Sequence, residues 1–207
     1  MGLFTEEQLI NRFNASLINK GVSDSYRAQL KAIEFLNESV AKQKYFSAYS
    51  AKTYDIFLSH SSNDARQVYG LKLELEDRGY SVYVDWIDDR DTDRSKVTKT
   101  NAEMLRSRMK QCKSLLYAFS KNASRSTWMP WELGYFDGIK GLVAVAPISK
   151  EGNTSYSGNE YLGLYPYIDI ALQENGGGQR VWVNEYSDTY VLFTEWLQGK
   201  KPYKRPI

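Results

Sequence analysis

The sequence predicts an α/β fold, with a central parallel sheet flanked by helices and an N-terminal helical extension ahead of it. Three observations carry this. Along residues 54–148, short apolar runs alternate with amphipathic helical stretches, the pattern of successive βαβ units. The run Leu142-Val143-Ala144-Val145-Ala146-Pro147-Ile148 is nearly all apolar, as a strand covered on both faces must be. Residues 1–50 show helical rather than alternating periodicity.

In chain order, Thr5 with Gln8 fits a capping box. It opens a helix in which Leu9, Phe13 and Leu17 recur at four-residue steps and which Gly21 can stop. Ser23 or Asp24 caps a second helix with Tyr26, Leu30, Ile33 and Val40 on one stripe. Two such helices cannot hide their apolar faces from each other alone, so they are expected to pack on the body or on a neighbouring subunit. Tyr54–Ser59 is a strand. Asn63 or Asp64 then caps a helix over 64–78, with Val68, Leu71 and Leu75 inward. A strand over 80–86 follows, then a charged loop over 87–97 holding Asp88, Asp89, Arg90, Asp91, Asp93, Arg94 and Lys96. A helix over 98–112 leads into a strand over 114–120.

Ser126 or Thr127 caps the next helix, which opens at Trp128, tolerates Pro130 in its first turn and ends before Gly141. The apolar strand over 142–148 comes next. Beyond it the pattern loosens: a polar loop over 149–160, a short edge strand over 165–170, a turn at Gly176-Gly177-Gly178, a strand over 181–183 and a last helix over about 187–198 carrying Tyr190, Phe193 and Trp196.

With 207 residues, the chain suffices for one domain with a real core and a small extension. The expected division is an extension over 1–50, a domain over 53–199 and a basic tail over 200–207. Against 27 Lys and Arg stand 25 Asp and Glu, a formal charge of +2, which is no footprint of a nucleic-acid binder. Cys112 is the single cysteine, so no internal disulfide forms; this suits a reducing cytosol, and Cys112 is expected as a core filler. With one histidine, His60, no zinc site is expected. No signal peptide and no membrane-spanning run are read, so a cytoplasmic location is expected. The 16 Tyr, 8 Phe and 5 Trp suggest a lined pocket or a self-association surface in addition to the core.

In an open parallel sheet, ligands sit beyond the carboxyl ends of the strands. Here those ends are Ser59-His60-Ser61, Asp85-Trp86, Ser120-Lys121-Asn122 and Ile148-Ser149. Glu132 starts a helix fed by the third of them, and Trp128, four residues earlier, shares its face. The opposing reading makes Glu132 a surface residue beside two core tryptophans, Trp128 and Trp131. Asp85 is equally a turn cap, His60 an incidental loop residue, and the charged loop a solvated or self-associating one, although Arg90 or Arg94 could touch a pyrophosphate. No Gly-rich phosphate cradle occurs, so a nucleotide would be held by side chains and helix N-termini.

Three segments in order resemble the Toll/interleukin-receptor (TIR) domain family: the first box Tyr54–Ser59, the acidic stretch Asp85-Trp86-Ile87-Asp88-Asp89-Arg90-Asp91, and Trp-x-x-x-Glu-Leu at Trp128–Leu133. The resemblance covers roughly residues 53–199 and implies a flavodoxin-like TIR fold. The small extension makes the chain similar to bacterial single-domain members such as the TIR proteins of Thoeris antiphage systems. Many members cleave NAD with the glutamate of the third box, and some cyclise the ADP-ribose. By that resemblance Glu132 is catalytic, and Ser59, His60, Asp85, Trp86, Ser120 and Trp128 surround the substrate. Met129 stands where the family often has Cys, and the loop over 87–97 lacks the family's Pro-Gly tip.

The chemistry agrees. Nicotinamide leaves NAD as a neutral molecule without protonation, so one carboxylate that stabilises an oxocarbenium-like ribose suffices, unlike the pair that ordinary glycosides need. The resemblance implies no cofactor beyond NAD as substrate and a downstream effector sensing the nucleotide; the aromatic content, the charged loop and the N-terminal helices suggest a homo-oligomer on activation, and the charge balance and lack of an apolar span leave neither nucleic acid nor membrane as an expected partner. Two other functions fit parts of the pattern: a non-catalytic scaffold acting by self-association, and a nucleoside deoxyribosyltransferase, which also uses a Glu.

Overall fold

The structure, a computed structural model, describes residues 2–18, 53–88, 97–150, 156, 158, 160–173 and 176–204. The second predicted N-terminal helix, most of the charged loop and the end of the basic tail lie outside them. In chain order the elements are β1 Phe4–Thr5, α1 Glu6–Ile18, β2 Tyr54–Ser59, α2 Ala65–Glu76, β3 Val82–Tyr83, α3 Asp85–Asp88, α4 Lys99–Gln111, β4 Cys112–Phe119 and α5 Trp128–Lys140. There follow β5 Val143–Ser149, β6 Tyr167–Leu172, β7 Gln179–Tyr186, β8 Thr189–Leu192, α6 Phe193–Trp196 and β9 Tyr203–Lys204.

Among the described residues these strands form one sheet in the order β3-β2-β4-β5-β6-β7-β8-β9, with β1 paired to the end of β5. From β3 to β6 all pairs are parallel, in registers such as Leu58↔Leu116 and Leu116↔Ala144. The predicted parallel centre is therefore present. Beyond β6 the sheet continues antiparallel, because the chain doubles back at once. Gly176 and Gly178 adopt φ of 77° and 75°, a region costly for other residues, and Gln173 N–H donates to the Gly178 carbonyl at 2.9 Å.

The helix expected over 187–198 is instead a strand followed by a single helical turn. Val191 points into the core while its neighbour Tyr190 meets Trp182 edge-on at 5.4 Å, a two-residue alternation hidden inside an aromatic stripe that suggested a helix. The strand expected over 80–86 is cut to Val82–Tyr83, since Ile87 N–H already bonds the Val84 carbonyl in a turn.

Alternation along the strands sorts the core into two faces. Ile56, Leu58, Leu116, Ala118, Ala144 and Ala146 pack with α2, α6 and Leu9 of α1. Phe57, Leu115, Tyr117, Val143 and Val145 pack with Leu105 and Met109 of α4 and Trp128, Leu133 and Phe136 of α5. Cys112 is buried and outside any disulfide, in the filler role expected of it. Trp131, expected in the core, is only half-buried: it stacks on Tyr135 under the Arg106 guanidinium.

The capping box forms as predicted, with Gln8 N–H on the Thr5 hydroxyl at 3.1 Å and Thr5 N–H on the Gln8 amide oxygen at 3.3 Å. Leu9, Phe13 and Leu17 are buried, and α1 lies on α2 of the same chain, so this helix finds its cover in cis.

Asp55 ties the first two parallel strands to β4. It accepts the Ser81 N–H at 2.9 Å and the Ser81 hydroxyl at 2.8 Å, and pairs with Lys113 at 2.8 Å. Burial pushes its carboxyl up, but Lys113 and the Ser81 donors outweigh this and hold it below its ordinary 3.8. A depressed carboxyl stabilises the fold above its unfolded value and loses that contribution as pH falls through the folded one. Wild type should therefore lose Tm faster than Asp55→Asn as pH drops below about 4. Parallel Tm–pH curves down to pH ~3 would remove Asp55 from the acid sensitivity.

Candidate functional site

After β2 the chain crosses to β3 on one side of it and then to β4 on the other, so the strand order reverses at β2. A crevice opens beyond the carboxyl ends at such a point. The two loops that flank it, after β2 and after β4, line a cleft of about 570 Å³. Its walls are His60, Ser61, Ser62, Asn63 and Ala65 from one side, Arg125, Ser126, Thr127 and Trp128 from the other, and Trp86.

The two loops are tied together by a carboxylate that the sequence offered only as a helix cap. Asp64 is buried and makes no capping bond to α2. Its Oδ2 accepts the Ser120 hydroxyl at 2.5 Å and its Oδ1 accepts the Asn122 amide at 2.6 Å. Ser120 thus gives its hydroxyl to Asp64 and does not line the cleft. Capping falls to Ser61, whose hydroxyl accepts Asn63 N–H at 3.4 Å at the head of a short 3-10 turn. Across the cleft, Ser126 caps α5 by accepting Met129 N–H at 3.3 Å.

Helix α5 buries Trp128, Glu132 and Phe136 at successive four-residue steps, so Glu132 occupies a position where an apolar side chain would ordinarily sit. It is 0% exposed, which excludes the surface reading. Burying a carboxylate is costly unless it is hydrogen-bonded, and strand alternation supplies a partner. Ser59 lies on the same face as Phe57, the face that α5 covers, and its hydroxyl donates to Glu132 Oε2 at 2.6 Å. Glu132 is one helical turn behind Trp128, and Ser59 is one residue before His60. The pair therefore stands directly behind the Trp128/His60 wall of the cleft.

His60, next along β2, turns the other way. A carbonyl can only accept, so the 2.8 Å contact with the Leu58 carbonyl puts a proton on Nδ1. Nε2 lies 3.5 Å from Asp85 Oδ1, with both residues buried, and the ring meets Trp86 edge-on at 6.2 Å. Asp85 thus opens the turn α3 and also faces His60. Of the predicted residues, the structure brings His60, Trp86 and Trp128 to the cleft, Ser59 and Glu132 behind its wall, Asp85 beside His60, and Ser120 onto Asp64. Sequence reasoning missed Arg125 and the bridging role of Asp64. The signal for Asp64 was a helix-start carboxylate paired with a polar strand end, Ser120-Lys121-Asn122, which only the fold places within reach.

A family model described as TIR domain matches residues 56–183. The chain is 47% identical over 203 residues to a Bacillus cereus protein named "Probable 3' cyclic ADP-D-ribose synthase ThsB'", covering 96% of this chain and 99% of that protein. It is 31% identical over 85 residues to a Cytobacillus dafuensis protein named "Putative cyclic ADP-D-ribose synthase TIR2", covering 41% of this chain and 22% of that protein.

Proposed function

The chain belongs to the TIR domain family, and on that premise we propose that it cleaves NAD, releasing nicotinamide and closing the ADP-ribose remnant into a cyclic signalling isomer in bacterial antiphage defence. The observation that carries this reading is the buried Glu132–Ser59 pair directly behind the aromatic wall of the strand-end cleft. The name of the nearly full-length relative supports a 3' cyclic isomer. A pure scaffold would have no use for a carboxylate kept from water at this point. A deoxyribosyltransferase would be separated by incubation with deoxynucleosides in place of NAD.

In the reaction the bond between ribose C1 and the nicotinamide nitrogen breaks. Its electron pair leaves with the ring, which departs neutral, and the positive charge passes to the ribose. Glu132, held in place by Ser59, stabilises that charge, a contribution of about 3 kcal/mol by analogy with single-group electrostatic deletions. Water or a hydroxyl of the distal ribose then attacks C1 and gives its proton to solvent. Trp128 excludes water, which favours the internal hydroxyl, present at high effective molarity. NAD acts as substrate, with no other cofactor; Glu132 is the catalyst, Ser59, His60, Asp85, Trp86 and Trp128 surround the substrate, and Ser120 acts through Asp64, holding the two cleft loops together.

Because Glu132 has no exposure within one chain, substrate reaches it only when the wall moves. Self-association is the trigger we favour, with a downstream effector sensing the product in the cytoplasm. Among the described residues no helix is long and apolar enough to cross a membrane.

Mass analysis after incubation with NAD should show nicotinamide and a cyclic ADP-ribose isomer, in yields per mole of enzyme that rise with protein concentration. Trp128→Ala should shift products toward linear ADP-ribose. Intact NAD across all concentrations, with the activating signal present, would sink the proposal, and an unchanged ratio in Trp128→Ala would remove the water-excluding role.

A further inference from the structure

We propose that Arg125 is the anion anchor of the cleft and takes the diphosphate of a dinucleotide; this rests on the NAD-cleaving reading above. Among the described residues lining the cleft, Arg125 is the one with a fixed charge, and no Asp or Glu is among them. The remaining polar lining is the Ser61, Ser62, Ser126 and Thr127 hydroxyls, the Asn63 amide and the His60 ring. Such a lining repels nothing negative and offers one guanidinium, whose planar fork matches phosphate oxygens.

The guanidinium is available for that task. Arg125 is exposed and makes no ion pair with a described residue, whereas Lys121, the other cation on the same loop, reaches Glu6 at 3.4 Å. Its backbone is fixed all the same. Arg125 ends the 3-10 turn Ala123–Arg125, its N–H bonding the Asn122 carbonyl at 3.1 Å, and Asn122 is held by buried Asp64. A cation on a pinned turn, lining a cleft with no acid among its described residues, is placed to bind an anion.

The order along the chain fits the order of groups in the substrate. Glu132 serves the ribose that loses nicotinamide, Trp128 lies one turn before it, and Arg125 lies three residues earlier again, at the outer end of the same segment. Across the cleft, Ser61–Asn63 and the start of the twelve-residue helix α2 offer hydroxyl and backbone donors to the same anion. Holding the diphosphate there fixes the bend of the dinucleotide and so sets how near the distal ribose comes to C1. Because the diphosphate does not change in the reaction, its anchor acts on binding more than on the chemical step.

The test uses purified full-length wild type, Arg125→Gln and Arg125→Lys, with folding checked by circular dichroism. In steady-state NAD cleavage, Arg125→Gln should raise KM about 10- to 100-fold, the span of a charge-assisted hydrogen bond, with kcat within about threefold. Arg125→Lys should recover part of the loss, keeping the charge without the fork. Calorimetry with ADP and with adenosine provides an arm that needs no turnover. Wild type should bind ADP more tightly than adenosine, and Arg125→Gln should erase that difference. Equal preference in wild type and Arg125→Gln, or no preference in wild type, overturns the anchor even if NAD is cleaved. An ADP preference lost in Arg125→Gln without any release of nicotinamide by wild type, at all protein concentrations and with the activating signal present, upholds the anchor and rejects NAD cleavage.

Discussion

Glu132→Gln lowers nicotinamide release from NAD by at least about 10²- to 10³-fold, the cost of deleting one preorganised electrostatic group, while Tm stays at or above that of wild type. The two halves of this result come from the same burial. In the folded chain the carboxylate has been taken from water into a helix stripe between Trp128 and Phe136, a position that costs stability. The amide has the same shape and still offers an oxygen to the Ser59 hydroxyl, now at 2.6 Å from Glu132 Oε2, so the packing survives and the desolvated charge is gone. What disappears is the negative charge facing the developing cation. A site that is worse for stability and better for chemistry is the expected trade at a functional position. Steady-state assays beside thermal melts decide it: retained turnover in a folded variant would take Glu132 out of the mechanism, and a collapsed Tm would make it a structural carboxylate instead.

Gly70→Ala destabilises the chain by about 1–3 kcal/mol, a fall in Tm of roughly 2–12 °C for a domain of this size. A Cβ at Gly70 would stand 2.0 Å from the Leu9 carbonyl oxygen and 2.7 Å from its carbon, both backbone atoms. Neither can swing away as a side chain would, so α1 must lift from α2. Lifting α1 uncovers Leu9 and Phe13 and opens the edge contact of Phe13 on Tyr69 at 5.5 Å. Removing a glycine from a helix interior gains up to about 1 kcal/mol of helical preference, which offsets only part of this. The Arg12–Asp77 pair at 2.6 Å is exposed and adds little hold between the two helices. Thermal melts and limited proteolysis near α1 measure the effect; a variant as stable as wild type, with α1 equally protected, would show that the close approach is not required.

Gly70 also marks a limit of sequence reasoning. Inside a helix-periodic stretch it looks like a defect, and nothing local says that another helix crosses there. Trp131 was misplaced for a related reason: an indole beside a buried stripe looks like core, but its angle on α5 sends it outward to stack on Tyr135. The C-terminal strand and turn were hidden by a stripe of aromatics that fits two periods at once. Elements whose burial was uniform or strictly periodic, such as β2, β5 and the face of α5, were legible because their pattern admits one arrangement.

By itself the sequence determined the α/β class, the parallel centre, the capping of α1 and the importance of Trp128 and Glu132, because local periodicity, cap chemistry and motif order are all written in neighbouring residues. Only the tertiary structure decided that Glu132 lies out of water against Ser59, that Asp64 clasps Ser120 and Asn122 instead of capping its helix, and that Arg125 brings a fixed charge to the cleft lining. Each of these joins residues far apart in the chain. Their meeting depends on strand order and on which face of β2 turns toward α5, and both are settled by burying two faces of one sheet at once.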